Sequence, residues 1–142
     1  MNKIKQGKPI TIYGTGEQIR SFSYINDSLP CYWRCAIDEK ASKQIFNIGS
    51  LGSTTINKAA HILMDITGYK DIEYLEKRNE VFETHPDGYK SVELLGYKDN
   101  TSLEQGLYDM WNWCKDIPDR KSFVFDRYEI DKNLYSYWKN KK

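Results

Sequence analysis

Apolar and polar positions along this chain follow two periods, and the change from one to the other marks out its elements. Residues 9–13, Pro-Ile-Thr-Ile-Tyr, are rich in β-branched side chains and run into Gly14-Thr15-Gly16. That pattern predicts a short strand closed by a turn. Residues 1–6 read as a helical stub stopping at Gly7, a residue suited to the position just past a helix. Residues 22–25 read as a second strand. Asp27 or Ser28 then caps a helix with Pro30 in its first turn, and Leu29, Trp33, Ala36 and Ile37 share one of its faces. Residues 45–48 form a compact apolar run before Gly49-Ser50-Leu51-Gly52, the pattern of a buried strand entering a turn.

The helical period returns at Thr55. Ile56, Ala59, Ala60, Leu63 and Met64 form an inner stripe, and Gly68 is the stop. Residues 72–75 are a strand. Asp87 caps a short helix ending at Gly96, and Ser102-Leu103-Glu104-Gln105 has the form of a capping box. The helix that follows places Leu103, Leu107, Met110, Trp111 and Cys114 on its apolar face. Short strands alternating with helices predict an α/β (α+β) chain. Without repeats or linker-like runs it reads as a single domain over 1–142. Residues 1–6 are its stub, 7–117 its core, and 118–142 an aromatic and basic tail with no clear period.

With 142 residues, the chain is long enough for one domain with a real core. Its 21 basic and 20 acidic residues leave a formal charge of +1, so no overall field favours nucleic acid or an anionic membrane. No apolar run approaches the ~20 residues of a membrane span. Cys31, Cys35 and Cys114 are an odd set without framework spacing, which fits reduced thiols in a cytoplasmic protein. His61 and His85 have neither zinc-ligand spacing nor a visible nucleophile partner.

The residues suited to binding lie around the glycine turn. Arg20 follows it at the mouth of a strand, where its fork suits either a diphosphate or an ion pair with Glu17 or Asp27. Tyr13, at the strand end, is placed either to stack on a base or to pack as an ordinary half-buried ring. Arg78 has the same two options as Arg20, a phosphate or a surface pair with Glu76 or Glu80.

Gly14-Thr15-Gly16-Glu17-Gln18-Ile19-Arg20 matches, position by position, a Gly-x-Gly-x-Gln-x-Arg run of the extended short-chain dehydrogenase/reductases. Arg78-Asn79-Glu80-Val81, the stretch 87–97 and Phe46-Asn47-Ile48-Gly49-Ser50 resemble the same enzymes. The chain is similar to the substrate-binding half of NAD-dependent nucleotide-sugar epimerases and dehydratases of the UDP-glucose 4-epimerase-like kind. The resemblance implies that Arg20 and Arg78 hold the diphosphate of a nucleotide-sugar, that Tyr13 lies against its base, and that Glu80 accepts from its ribose hydroxyls. It implies NAD as the cofactor of the intact enzyme.

This chain has no Gly-x-x-Gly-x-x-Gly turn to hold NAD, and its Tyr-x-x-x-Lys spellings, Tyr135 to Lys139 and Tyr137 to Lys141, fall in the tail as coincidences. No cofactor is therefore expected on this chain alone. NAD and the hydride chemistry are expected on a Rossmann-domain partner chain or a missing N-terminal half. Such a chain exposes an apolar patch from Leu29, Trp33 and Ile37, open to that partner or to a homo-oligomer. The alternative is a non-enzymatic relic or interaction module that keeps the fold.

Overall fold

Residues 1–119 are described by the computed structural model of the chain. The tail expected from 118 onward, with both Tyr-x-x-x-Lys spellings, lies outside them apart from its first two residues.

Strand β1 (Ile10–Tyr13) pairs in parallel with β4 (Ile72–Leu75), Ile10 opposite Ile72 and Tyr13 opposite Leu75. A second sheet is centred on β2 (Ile19–Arg20), antiparallel to β3 (Thr54–Thr55) and parallel to β5 (Glu83–Thr84). Five helices accompany them among the described residues: α1 (Asn2–Lys5), α2 (Ile25–Ile37), α3 (Ile56–Thr67), α4 (Tyr89–Leu95) and α5 (Leu103–Cys114). A 3-10 turn, Glu39–Ala41, follows α2.

Local chemistry explains most of these limits. Thr55 accepts from the Lys58 amide at 3.1 Å and Ser102 from the Gln105 amide at 3.1 Å, satisfying N–H groups that α3 and α5 leave open. Gly68 and Gly96 close α3 and α4 in the left-handed conformation.

Where α3 lies against β1 and α5, Ile12, Ala60, Leu63 and Cys114 are buried. A second cluster gathers Cys31, Ala41, Leu95 and Tyr97, with Phe46 and Ile48 packed at its edge. Burial, with Asp99 and Asp27 nearby, pushes the Tyr97 phenol up to about 12.

Four expectations are corrected. No strand runs through 22–25. The strand is Ile19–Arg20, where Phe82 and Thr55 supply backbone partners, and α2 already begins at Ile25. Asp27 and Ser28 do not cap that helix, and Pro30 stands inside it rather than in its first turn. Asp27 instead accepts from the Thr101 amide at 2.8 Å, and Ser28 is buried. Residues 45–48 form no strand, because no described strand lies beside them. Ile45 is 86% exposed, while Phe46 and Ile48 pack from an irregular segment. Met110, assigned to the apolar face of α5, is exposed.

The face of α2 bearing Leu29, Trp33 and Ile37 is exposed, as are Ile25 and Tyr32. Only Ser28 and Cys31 of this helix are buried, so its apolar face is not the one that meets the core. The three cysteines are free, Cys31 and Cys114 buried and Cys35 exposed. No described helix is long and apolar enough to cross a membrane.

Candidate functional site

Two chain connections run between the same pair of sheets. Residues 14–18 carry the chain from β1 to β2, and residues 76–82 carry it from β4 to β5. Because β1 pairs in parallel with β4, and β2 with β5, both connections leave and arrive side by side. Backbone bonds close each junction: Gly14 N–H donates to Leu75 O at 2.9 Å and Ile19 N–H to Phe82 O at 2.8 Å. Parallel pairing alone therefore brings positions sixty residues apart into contact.

All four candidate residues lie at this junction. The Arg78 guanidinium carbon sits 3.3 Å from the centre of the Tyr13 ring, a cation–π stack. Arg20 Nη2 donates to Glu80 Oε2 at 2.7 Å, and its Nη1 donates to the carbonyls of Ile19 at 2.7 Å and Phe82 at 3.1 Å. Gln18 joins the two pairs, donating from Nε2 to Tyr13 O at 2.8 Å and to Glu80 Oε1 at 3.2 Å. The ion pair is partly exposed, with side-chain exposures of 22% for Arg20 and 35% for Glu80. Solvent screens it, so the pair contributes little to stability.

Among the described residues, Arg20 lines a different cavity from Tyr13 and Glu80. Tyr13, Gln18 and Glu80 line a cavity of about 170 Å³ together with Gly14, Thr15, Lys77 and Phe82. Arg20 instead lines a neighbouring one of about 380 Å³, whose wall includes Lys58, Asp99 and the 50–54 and 99–104 loops. Arg20 and Glu80, bonded to each other, stand between the two.

The pairing differs from the options open to the sequence. Glu17 receives the Asn57 amide at 2.6 Å, and Asp27 caps residues 100–101, so neither is the partner of Arg20. Sequence reasoning missed Lys77 and Phe82 altogether and assigned no task to Gln18. The Gln of the Gly-x-Gly-x-Gln-x-Arg run was the available signal for Gln18, since a side-chain amide bonds both a carbonyl and a carboxylate. Of the two histidines, His61 bonds the Asn57 carbonyl and His85 lies 3.7 Å from Glu83. No cluster of three metal-ligating side chains occurs among the described residues.

Residues 1–49 match the model of the NAD dependent epimerase/dehydratase family. Over 120 residues the chain is 30% identical to the UDP-N-acetyl-alpha-D-glucosaminuronate decarboxylase of Bacillus cytotoxicus, covering 79% of this chain and 37% of that protein. It is 34% identical over 116 residues to the UDP-glucuronate 4-epimerase of Thermodesulfobacterium geofontis, covering 80% of this chain and 35% of the relative. Among solved structures, the UDP-glucuronic acid 4-epimerase of Bacillus cereus with UDP-glucuronic acid and NAD superposes with a TM-score of 0.70 at 29% identity. That overlap takes in 78% of this chain and 37% of the other. The UDP-glucose 4-epimerase of Thermotoga maritima with UDP-glucose gives 0.68 at 32% identity, over 75% and 34% of the two chains. The chain thus spans about a third of the length of these relatives.

The fold is the α/β arrangement that extended short-chain dehydrogenase/reductase epimerases and dehydratases show over the matching region. The NAD present in the Bacillus cereus structure finds no fit at this chain's glycine turn. Gly14-Thr15-Gly16 connects two strands rather than leading from a strand into a helix, and the first amides of α3, which a dinucleotide pyrophosphate would need free, already donate to Gly16 O and Gln18 O. The space beside Gly16 is filled by Asn57.

Proposed function

We propose that this chain is the substrate-binding part of an NAD-dependent nucleotide-sugar epimerase, dehydratase or decarboxylase. Tyr13 receives the base, Glu80 the ribose hydroxyls, and Arg20 with Arg78 the diphosphate. The carrying observation is the junction of the two connections, where Arg20 pairs with Glu80, Arg78 stacks on Tyr13, and Gln18 bonds across the two pairs. Without ligand, each guanidinium rests on an internal stand-in, Glu80 for Arg20 and the Tyr13 ring for Arg78. A diphosphate exchanges the Arg20–Glu80 pair for a more highly charged, bidentate partner and releases the carboxylate toward ribose. The relatives' names support a UDP-sugar as ligand. Hydride transfer belongs to a dinucleotide-binding domain outside these 142 residues, wherever it is encoded, and this chain's share is binding and orientation.

Calorimetric titration with UDP-, dTDP-, CDP- and GDP-sugars tests this reading. Wild type is expected to bind one nucleotide class, and Arg20→Ala to lose about tenfold or more in affinity, the weight of a charge-assisted contact. Glu80→Gln frees Arg20 of its carboxylate, so inorganic pyrophosphate should bind that variant more tightly than wild type. Indifference to every nucleotide in all three proteins would instead favour a non-enzymatic relic, whose charges are paired with one another permanently.

The exposed face of α2 is where we place the dinucleotide-binding domain. Leu29, Trp33 and Ile37, exposed at 51%, 66% and 61%, make an apolar surface that such a domain would cover. Without that cover the chain should associate with itself through the same face. Sedimentation velocity over a dilution series is expected to show association for wild type and a monomer for Trp33→Glu. Equal association of both proteins would remove α2 from the interface.

A further inference from the structure

The turn that carries the chain from Tyr13 to Arg20 lies against the N-terminus of α3, where the Ile56 N–H donates to Gln18 O at 3.1 Å and Asn57 makes the bonds that involve a side chain. Asn57, the second residue of α3, donates from Nδ2 to Thr15 O at 2.9 Å and to Glu17 Oε1 at 2.6 Å. Its backbone N–H donates to Gly16 O at 2.9 Å, and its Oδ1 accepts from the Tyr74 hydroxyl at 3.1 Å. Two residues of the turn, Thr15 and Glu17, and one residue of β4 are thus tied to one side-chain amide, and Gly16 to the backbone of the same residue. Glycine at position 16 makes the approach possible, because a Cβ there would lie 1.9 Å from Asn57 Oδ1.

We infer that Asn57 is a positioning residue of the nucleotide site, setting the turn that spaces Tyr13 from Arg20. The inference rests on the proposed reading of that site. Tyr13 ends β1 and Arg20 ends β2, so the path of the six residues between them fixes the distance from ring to guanidinium. Tyr74 precedes Leu75, where β4 ends and the connection carrying Arg78 and Glu80 begins. Through Tyr74 the same amide also references that second connection. The chemistry requires an amide: two acceptors, Thr15 O and Glu17 Oε1, need donors, while the Tyr74 hydroxyl needs an acceptor. A carboxylate at position 57 would face two oxygens with no proton to share.

The test uses the full chain as wild type, Asn57→Ala and Asn57→Asp, measured by hydrogen exchange over residues 14–20 and by calorimetric titration with UDP. Both variants should exchange faster than wild type across the turn. At about pH 7.5 both should bind UDP about tenfold more weakly than wild type. Unchanged exchange in the variants would show that the amide does not hold the turn. Faster exchange with undiminished UDP affinity would overturn the positioning role. If wild type itself ignores UDP, the proposed function fails and the positioning role fails with it. The exchange measurement needs no ligand and still separates that result from a turn that was never held.

Discussion

Gly16→Ala is expected to destabilise the chain by about 3 kcal/mol. Gly16 has φ +78°, in the left-handed region, where a residue with a Cβ costs about 1–2 kcal/mol. The methyl group would also meet Asn57 Oδ1 at 1.9 Å, so the amide must leave and its bonds to Thr15 and Glu17 go with it. Those bonds are partly solvated, and their loss adds about 1 kcal/mol in total. Urea unfolding of the two proteins, followed by far-UV circular dichroism, reads the difference. A loss under about 1 kcal/mol would mean that the turn relaxes around the methyl group and that nothing depends on its path. Gly7 makes a useful control, since its φ is +65° but its Cβ would meet nothing within 4 Å. Gly7→Ala should show the conformational cost alone.

Leu95→Ala is expected to cost a comparable amount, about 3 kcal/mol, for a different reason. Leu95 is fully buried at the end of α4, among Cys31 of α2, Ala41 of the 3-10 turn and Tyr97. Its removal leaves a void that four separate segments border, and they cannot all move inward at once. Ile45→Ala, at a side chain 86% exposed, should change stability by only a few tenths of a kcal/mol. Denaturant titration of both variants gives the comparison. Equal effects would mean that this cluster is loosely packed and that the irregular segment 45–48 carries more of the stability than its exposure indicates.

The elements legible in the sequence are those whose pattern and punctuation lie within one short stretch. Strands 10–13 and 72–75, the α3 helix from its Thr55 cap to Gly68, and α5 behind Ser102 all have local causes, and they appear in the structure at those positions. The failures share the opposite property. Residues 45–48 look like a strand because they are apolar and compact, yet a strand exists only beside another strand, and among the described residues none lies beside them. The strand expected at 22–25 is displaced to Ile19–Arg20 because Phe82 and Thr55 offer their backbones there. Asp27 has the composition of a cap, but the amides of Asn100 and Thr101, brought close by the fold, claim its carboxylate.

The site divides along the same line. Tyr13, Arg20, Arg78 and Glu80 are candidates from the sequence because each lies in or beside a short run that resembles the family's. Their pairing was not recognisable, since local reasoning offered Arg20 only the carboxylates nearest in sequence, Glu17 and Asp27. Asn57 left no signal at all, apart from the need for a small residue at position 16, because its task depends on how closely α3 approaches the turn.

The sequence alone determined which short runs carry a guanidinium, a carboxylate or a ring, and where strands 10–13 and 72–75 and helices α3 and α5 lie, because side-chain chemistry and backbone preference act within a few residues. Only the tertiary structure decided which of those groups face one another. Two parallel strand pairings, each closed across some sixty residues, put Arg20 on Glu80 and Arg78 on Tyr13. A hydrogen bond or a stack requires proximity in space, and no stretch of chain records that proximity until the sheets have formed.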